Sequence, residues 1–201
     1  MPDPIAGESP LARFDLAARA MKARGDAGVV VRERALLGHL DLRGDTRDPR
    51  FAAAIRGVVG VAPPIAPNTV DEAQGNTVYW LGPDEWLLVT AGERSAVLEG
   101  ELRAALTGVR AAVTDVSGGQ TVVMLRGGNV RELLAKGCPL DLHPRVFGVG
   151  RCAQSHLAKA PILIRQLDRE PSFEIVVRRS FADYFALWLA DAAAEYGLVC
   201  A

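Results

Sequence analysis

Tyr79-Trp80-Leu81-Gly82-Pro83-Asp84-Glu85-Trp86-Leu87-Leu88-Val89 sets two of the chain's three tryptophans on either side of an acidic turn. Two chemistries compete for the stretch. Asp84-Glu85 between aromatics has the makings of an acid/base site lined for a ring-shaped ligand. The alternative is a tight hairpin whose aromatics fill a core. Gly82-Pro83-Asp84-Glu85 has turn chemistry: proline is preset for position i+1 and aspartate is tolerated at i+2. Trp80 and Trp86 then fall on paired strands, close enough to pack on each other or on a neighbouring layer. The stretch predicts a β-hairpin, with the tryptophans as core or interface anchors and the acids as turn residues.

Around the hairpin, two regions share one order. The first begins with a strand over 36–45 ending in Leu42-Arg43-Gly44-Asp45. An Ala-rich helix over 49–59 follows, then a proline loop over 62–68 and strands at 77–81 and 85–90. A helix over 93–106 closes it, with Val97, Leu98, Leu102, Ala105 and Leu106 at helical spacing. The second begins with a strand at 121–125 running into Leu125-Arg126-Gly127-Gly128. A helix over 130–136 stops at Gly137, and strands follow at 154–157, 162–167 and 173–177. A last helix over 181–196 stops at Gly197. Glu85–Val89 also matches Ser172–Val176, so the two matches are offset by about 83 and 87 residues, the period of a half-domain. The fold class is α+β. Two related strand-helix-strand-strand-helix halves span about 29–110 and 111–201, the second with one extra strand, and together form one domain over 29–201. A strand at 29–34 opens that domain. Residues 1–28 read as an arm rich in proline, followed by a short helix over 11–24.

A chain of 201 residues, 49% hydrophobic and 23% charged, can bury a core without a disulfide or metal staple. Its net charge of −1 argues against a nucleic-acid partner. Cys138, Cys152 and Cys200 form no CxxC pair, which suits a reducing compartment. The acidic, proline-bearing start does not read as a signal peptide, and no apolar run approaches the ~20 residues a bilayer requires. The expectation is a soluble cytoplasmic protein with no membrane partner.

The chemistry-bearing residues offer little. Asp115-Val116-Ser117-Gly118-Gly119-Gln120 reads as a turn leading into the 121–125 strand, with no P-loop or GxGxxG pattern. Gly127-Gly128-Asn129 reads as a strand-to-helix turn, glycine supplying positive φ and Asn129 capping the helix. His39, His143 and His156 have no ligand spacing, and His156 reads as a buried strand histidine. Cys138 reads as a packed side chain rather than a nucleophile. Arg178-Arg179 can clamp an anion or form an interface patch, with Ser180 capping the last helix. On that helix Phe181, Phe185, Trp188 and Leu189 share a face, and Tyr184 and Leu187 widen it. So wide an apolar surface predicts burial on two sides, one facing a partner. No catalytic, cofactor-binding or metal-binding residue is assigned. The chain reads as either a small-ligand domain or a noncatalytic subunit.

WLGPDEWLLV (80–89), DVSGGQTVVMLRGGNVRELLAKGCPLDL (115–142) and FEIVVRRSFADYFALWLADAAAEYG (173–197) resemble the gamma subunit of heterotetrameric sarcosine oxidase. That subunit is in turn similar to the folate-binding domain of glycine-cleavage aminomethyltransferases, whose Asp-x-Ser…Gly pattern Asp115, Ser117, Gly119 and Gly127 follow. The resemblance implies a fold of two related halves and a place beside alpha, beta and delta subunits. It implies a complex that demethylates sarcosine to glycine, hydrogen peroxide and 5,10-methylenetetrahydrofolate. The cofactors it implies lie in the partner chains: FAD, FMN and NAD in alpha and beta, zinc in delta, with tetrahydrofolate as one-carbon acceptor. The chain itself is then a noncatalytic structural subunit, with Trp80, Trp86, Arg178, Arg179, Phe181 and Trp188 as interface candidates. The alternative is a stand-alone folate-binding protein or one-carbon transferase.

Overall fold

The computed structural model describes residues 7–14 and 27–200. The strands are β1 Val29–Arg34, β2 Gly38–Gly44, β3 Val70–Ala73, β4 Asn76–Gly82, β5 Glu85–Thr90, β6 Ala111–Asp115, β7 Gln120–Arg126, β8 Cys152–Leu157, β9 Ala160–Gln166, β10 Ser172–Arg178 and β11 Leu198–Cys200. The helices are α1 Pro49–Val59, α2 Ser95–Ala105, α3 Val130–Ala135 and α4 Ala182–Ala192. Within 7–14 only a 3₁₀ turn, Ala12–Phe14, forms; most of the helix expected over 11–24 lies outside the described residues.

The strands form two sheets, β3-β4-β5-β2-β6 and β11-β1-β7-β10-β9-β8. After β1 the chain runs β-α-β-β-β-α-β twice: β2 to β6, then β7 to β11. The expected extra strand of the second half is therefore a correction. The first half holds its counterpart, β3, whose exposed Asp71 and Glu72 hide it from a hydrophobicity pattern. The unmatched strand is β1, which inserts between β7 and β11. The registers carry the likeness into side chains. Leu42 faces Trp86 across β2 and β5, and Leu125 faces Phe173 across β7 and β10.

Period-two alternation distributes side chains between two faces of each strand. In β5, Trp86 and Leu88 join the core beneath α1 and α2, while Leu87 and Val89 point between the sheets. In β10, Phe173, Ile175 and Val177 join the core beneath α3 and α4, while Val176 points between the sheets. The result is four layers, helices–sheet–sheet–helices, with both faces of the central strands buried. Such strands read as near-continuous apolar runs, as in Trp86-Leu87-Leu88-Val89. The hairpin forms as expected: Gly82 pairs with Glu85 around Pro83-Asp84, and Trp80 pairs with Trp86.

One flank of the sandwich is stitched by backbone. The Cys152 amide donates to the Asn68 carbonyl at 3.0 Å and the Val70 amide to the Gly150 carbonyl at 3.2 Å. On the opposite flank β6 is an edge strand, where the Arg103 guanidinium donates to the Val113 carbonyl at 2.7 Å. Capping an edge carbonyl with a charged side chain blunts strand pairing with another chain.

Two expected caps are not made. Asn129 precedes α3 but its side chain makes no capping hydrogen bond, lying instead against Gly28. Ser180 lies inside a 3₁₀ turn, Arg179–Phe181, one residue too early to cap α4. Gly127 does supply positive φ, at 125°.

Candidate functional site

The middle layer, between the sheets, is not wholly apolar. Glu174 on β10 is 1% exposed and faces Arg165 on β9, its direct cross-strand partner. Arg165 Nε donates to Glu174 Oε1 at 2.9 Å, and Tyr79 Oη, from the other sheet, donates to the same oxygen. Arg34 donates to Glu174 Oε2 at 2.6 Å, and Arg165 reaches the exposed Glu72 at 2.8 Å. Burial pushes the Glu174 carboxyl up; Arg165, the Tyr79 hydroxyl and Arg34 together hold it below the usual carboxylate range. Burial, and then the Glu174 charge, push the Tyr79 phenol well up, so it stays protonated as a donor. Each oxygen of this carboxylate has a donor. The arrangement binds the two sheets together and occupies Glu174, Arg165 and Tyr79 in pairing with one another.

His39, on β2, is buried beside that network. Nδ1 lies 3.1 Å from the Leu37 carbonyl, and Nε2 has no partner among the described residues. Burial lowers its pKa, against the Leu37 carbonyl and the Asp115 and Glu174 charges and in concert with Arg34. Its unfolded pKa is about 6.5. The stability it contributes is therefore whole above that value and is lost as pH falls below it. A chemical-denaturation series from pH 7.5 to 5.5 is expected to show a falling midpoint, flattened in a His39→Gln variant. Equal slopes would place the titration elsewhere.

Where the sheets splay apart, a cleft of about 850 Å³ opens. One wall, from the five-stranded sheet, carries Asp41, Glu85 and Asp115; the other carries Gln120, Gln154 and Arg178. Leu87, Leu163 and Val176 form its floor. Arg43 donates to Asp41 at 3.2 Å and to Glu85 at 2.6 Å, so two of the acids are already partnered. Asp115 accepts from the Ser117 amide at 2.8 Å and from its hydroxyl, which fixes the 3₁₀ turn Ser117–Gly119 at the rim. This is the turn expected at 115–120, now seen to border a cleft.

The interface candidates separate. Trp86 is fully buried, packs on Phe51 with ring centroids 5.5 Å apart, and donates from Nε1 to the Pro64 carbonyl at 2.8 Å. It is a core residue and presents nothing at the surface. Trp80 is half-buried and borders a second cleft, of about 960 Å³, with Ile65, Pro67 and Pro83. Arg178 and Arg179 are exposed at the end of β10, and Arg178 lines the cleft. Phe181 and Trp188 are half-buried and pack onto the core beneath α4. That helix buries one side against this chain's own core, through Ala182, Phe185, Ala186 and Leu189; on its other side, the one expected to face a partner, Leu187 is 60% exposed.

Other corrections follow from position. His156 lies at the end of edge strand β8 and is exposed. Val97 is 60% exposed on α2, because Leu98, Leu102 and Leu106 are the residues that turn toward the sheet. Cys138 packs in the helix-side core, as expected. Cys152 packs between the sheets, where burial raises its thiol to about 11, too high for a nucleophile. Among the described residues no cluster of three or more His, Cys, Asp or Glu side chains could hold a metal, and no helix is long and apolar enough to cross a membrane. Sequence reasoning missed Glu174 and Arg165. Their signal was a single charge interrupting each of two apolar strands, Phe173–Val177 and Ile162–Gln166.

The profile of the sarcosine oxidase, gamma subunit family matches residues 43–195. The chain is 38% identical over 192 residues to the sarcosine oxidase subunit gamma of Corynebacterium sp. strain U-96, covering 94% of this chain and 90% of that one. Its fold superposes with a TM-score of 0.84 at 35% identity on a chain of the heterotetrameric sarcosine oxidase from Corynebacterium sp. U-96, solved with pyrrole 2-carboxylate, covering 94% and 96% of the two chains. The glycine cleavage system aminomethyltransferase T of Bartonella henselae shares the fold alone, with a TM-score of 0.65 at 14% identity, covering 95% of this chain and 58% of that one.

Proposed function

The chain belongs to the sarcosine oxidase gamma-subunit family, and from that premise we propose that it is a noncatalytic structural subunit of a heterotetrameric sarcosine oxidase. The observation that carries this reading is the match along nearly the whole of both chains to one subunit of such a complex. In this reading its partners are alpha, beta and delta subunits, alpha chief among them. FAD, FMN and NAD belong to alpha and beta and zinc to delta. The assembled enzyme converts sarcosine to glycine with formation of hydrogen peroxide and 5,10-methylenetetrahydrofolate. Three buried cysteines with no CxxC pair suit a place in the reducing cytoplasm.

Physical chemistry supports the noncatalytic part. Glu174, Arg165 and Tyr79 are consumed in pairing with one another. The cleft fits a dinucleotide poorly, because Asp41, Glu85 and Asp115 would face its phosphates. Co-expression with the other three subunits tests the proposal: the chain is expected to co-elute with them on size exclusion, and a chain that never co-elutes overturns it. Titration of the isolated chain with tetrahydrofolate separates this from the stand-alone folate-binding reading, which requires heat of binding where the subunit reading expects none.

A further inference from the structure

We propose that the cleft between the splayed sheets is the docking slot for a segment of another subunit of the complex, one that carries a carboxylate for Arg178 beside an apolar side chain for the floor. This rests on the subunit reading above.

Three features of the cleft select that occupant. The first is charge. Arg178 is the one cation among the residues that line it, and it has no ion pair among the described residues. Arg179 follows it, and the turn Arg179–Phe181 lies against the turn Ser117–Gly119 at the rim. On the opposite wall Arg43 offsets part of the charge of Asp41 and Glu85, and Asp115 accepts only from the neutral groups of Ser117, so that wall stays net acidic and repels any anionic group not seated on Arg178. The anchor is therefore a single carboxylate on Arg178, and a polyanion is rejected. The second is the floor. Leu87, Val176 and Leu163 come from both sheets and are continuous with the middle layer, so an inserted apolar side chain extends a core that already exists. The third is the rim. At Gly118 and Gly119 a Cβ would meet nothing within 4 Å, so bare backbone borders open space. An extended segment can bring its own backbone close there.

The test uses the assembled complex. The open space at Gly118 makes Gly118→Trp a plug that leaves the fold undisturbed, and Arg178→Glu reverses the anchor. Gly100→Trp, on the exposed face of α2 with equally open space, is the control. Each chain is titrated into the other three subunits, with its thermal melt recorded alone. Both cleft variants are expected to bind at least about tenfold more weakly than the wild type while melting like it, with the control unchanged. Hydrogen exchange on the wild type needs no variant: amides over 117–120 and 178–181 are expected to slow on assembly. Variants that bind as tightly as the wild type, or amides that exchange unchanged on assembly, overturn the docking slot and leave the subunit reading intact. A wild-type chain that binds none of the other subunits overturns both.

Discussion

Glu174→Leu is expected to cost about 3–5 kcal/mol of folding stability, measured as a fall in the denaturant midpoint. The substitution leaves Arg165 buried, with only the largely exposed Glu72 as counter-charge. It also strips the acceptor from the buried Tyr79 hydroxyl. An uncompensated buried guanidinium cannot neutralise itself by losing a proton, so desolvation falls on it in full. Removing the whole network reverses the argument. A triple variant, Glu174→Leu with Arg165→Met and Tyr79→Phe, is expected to recover most of the loss, since well-packed apolar residues often match or exceed a buried ion pair. Arg34 and Glu72 would then relax into water. A pH series adds a second readout. The Glu174 carboxyl is held below its ordinary value, so its contribution is present above that value and is lost on acidification through the folded one. The single variant should lack that acid limb. A single variant as stable as the wild type, or a triple variant no better than the single, would show that the network does not bind the sheets as described.

What the sequence revealed and what it hid follow the same physics. The hairpin and the repeated order were legible because both depend on local chemistry: turn residues at Gly82–Glu85, and strands apolar on both faces such as Trp86–Val89 and Phe173–Val177. β3, β6 and β11 were not legible. β3 is four residues with two exposed acids, β6 buries only Val113, and β11 is three residues long. Such strands exist because neighbours offer hydrogen bonds, which no one-dimensional pattern records. The central network was hidden for a related reason. Glu174 and Arg165 are lone charges in separate strands, and only the register makes them partners. Their counterparts in the first half, by the same registers, are Leu87 and Tyr79. One half therefore supplies a charged pair to the middle layer, and the other supplies an apolar residue and the phenol that reaches across. The two halves are alike in order and unlike in that layer, and the unlikeness is what lets one sheet recognise the other.

Trp86→Ala is expected to cost a comparable amount, about 3–5 kcal/mol, for a different reason. The indole is fully buried beneath α1 and α2, and its removal opens a cavity against Phe51. The Pro64 carbonyl also loses its donor. That carbonyl belongs to the buried Pro63-Pro64 segment, and proline cannot donate, so the loop depends on side chains such as Trp86 to tie it to the sheet. Trp86→Phe isolates the second effect: it keeps most of the ring volume and is expected to cost about 1–3 kcal/mol for the stranded carbonyl. Trp80→Ala, the half-buried partner across the hairpin, is expected to cost less than either and to leave the fold intact. Thermal melts of the three variants decide the matter. If Trp80→Ala proved as damaging as Trp86→Ala, the two tryptophans could not be divided into a core anchor and a surface residue. The acidic turn would then need an account beyond joining β4 to β5, because the division between buried and half-buried indole is what makes Asp84-Glu85 the outer end of a hairpin rather than the rim of a ring-lined pocket.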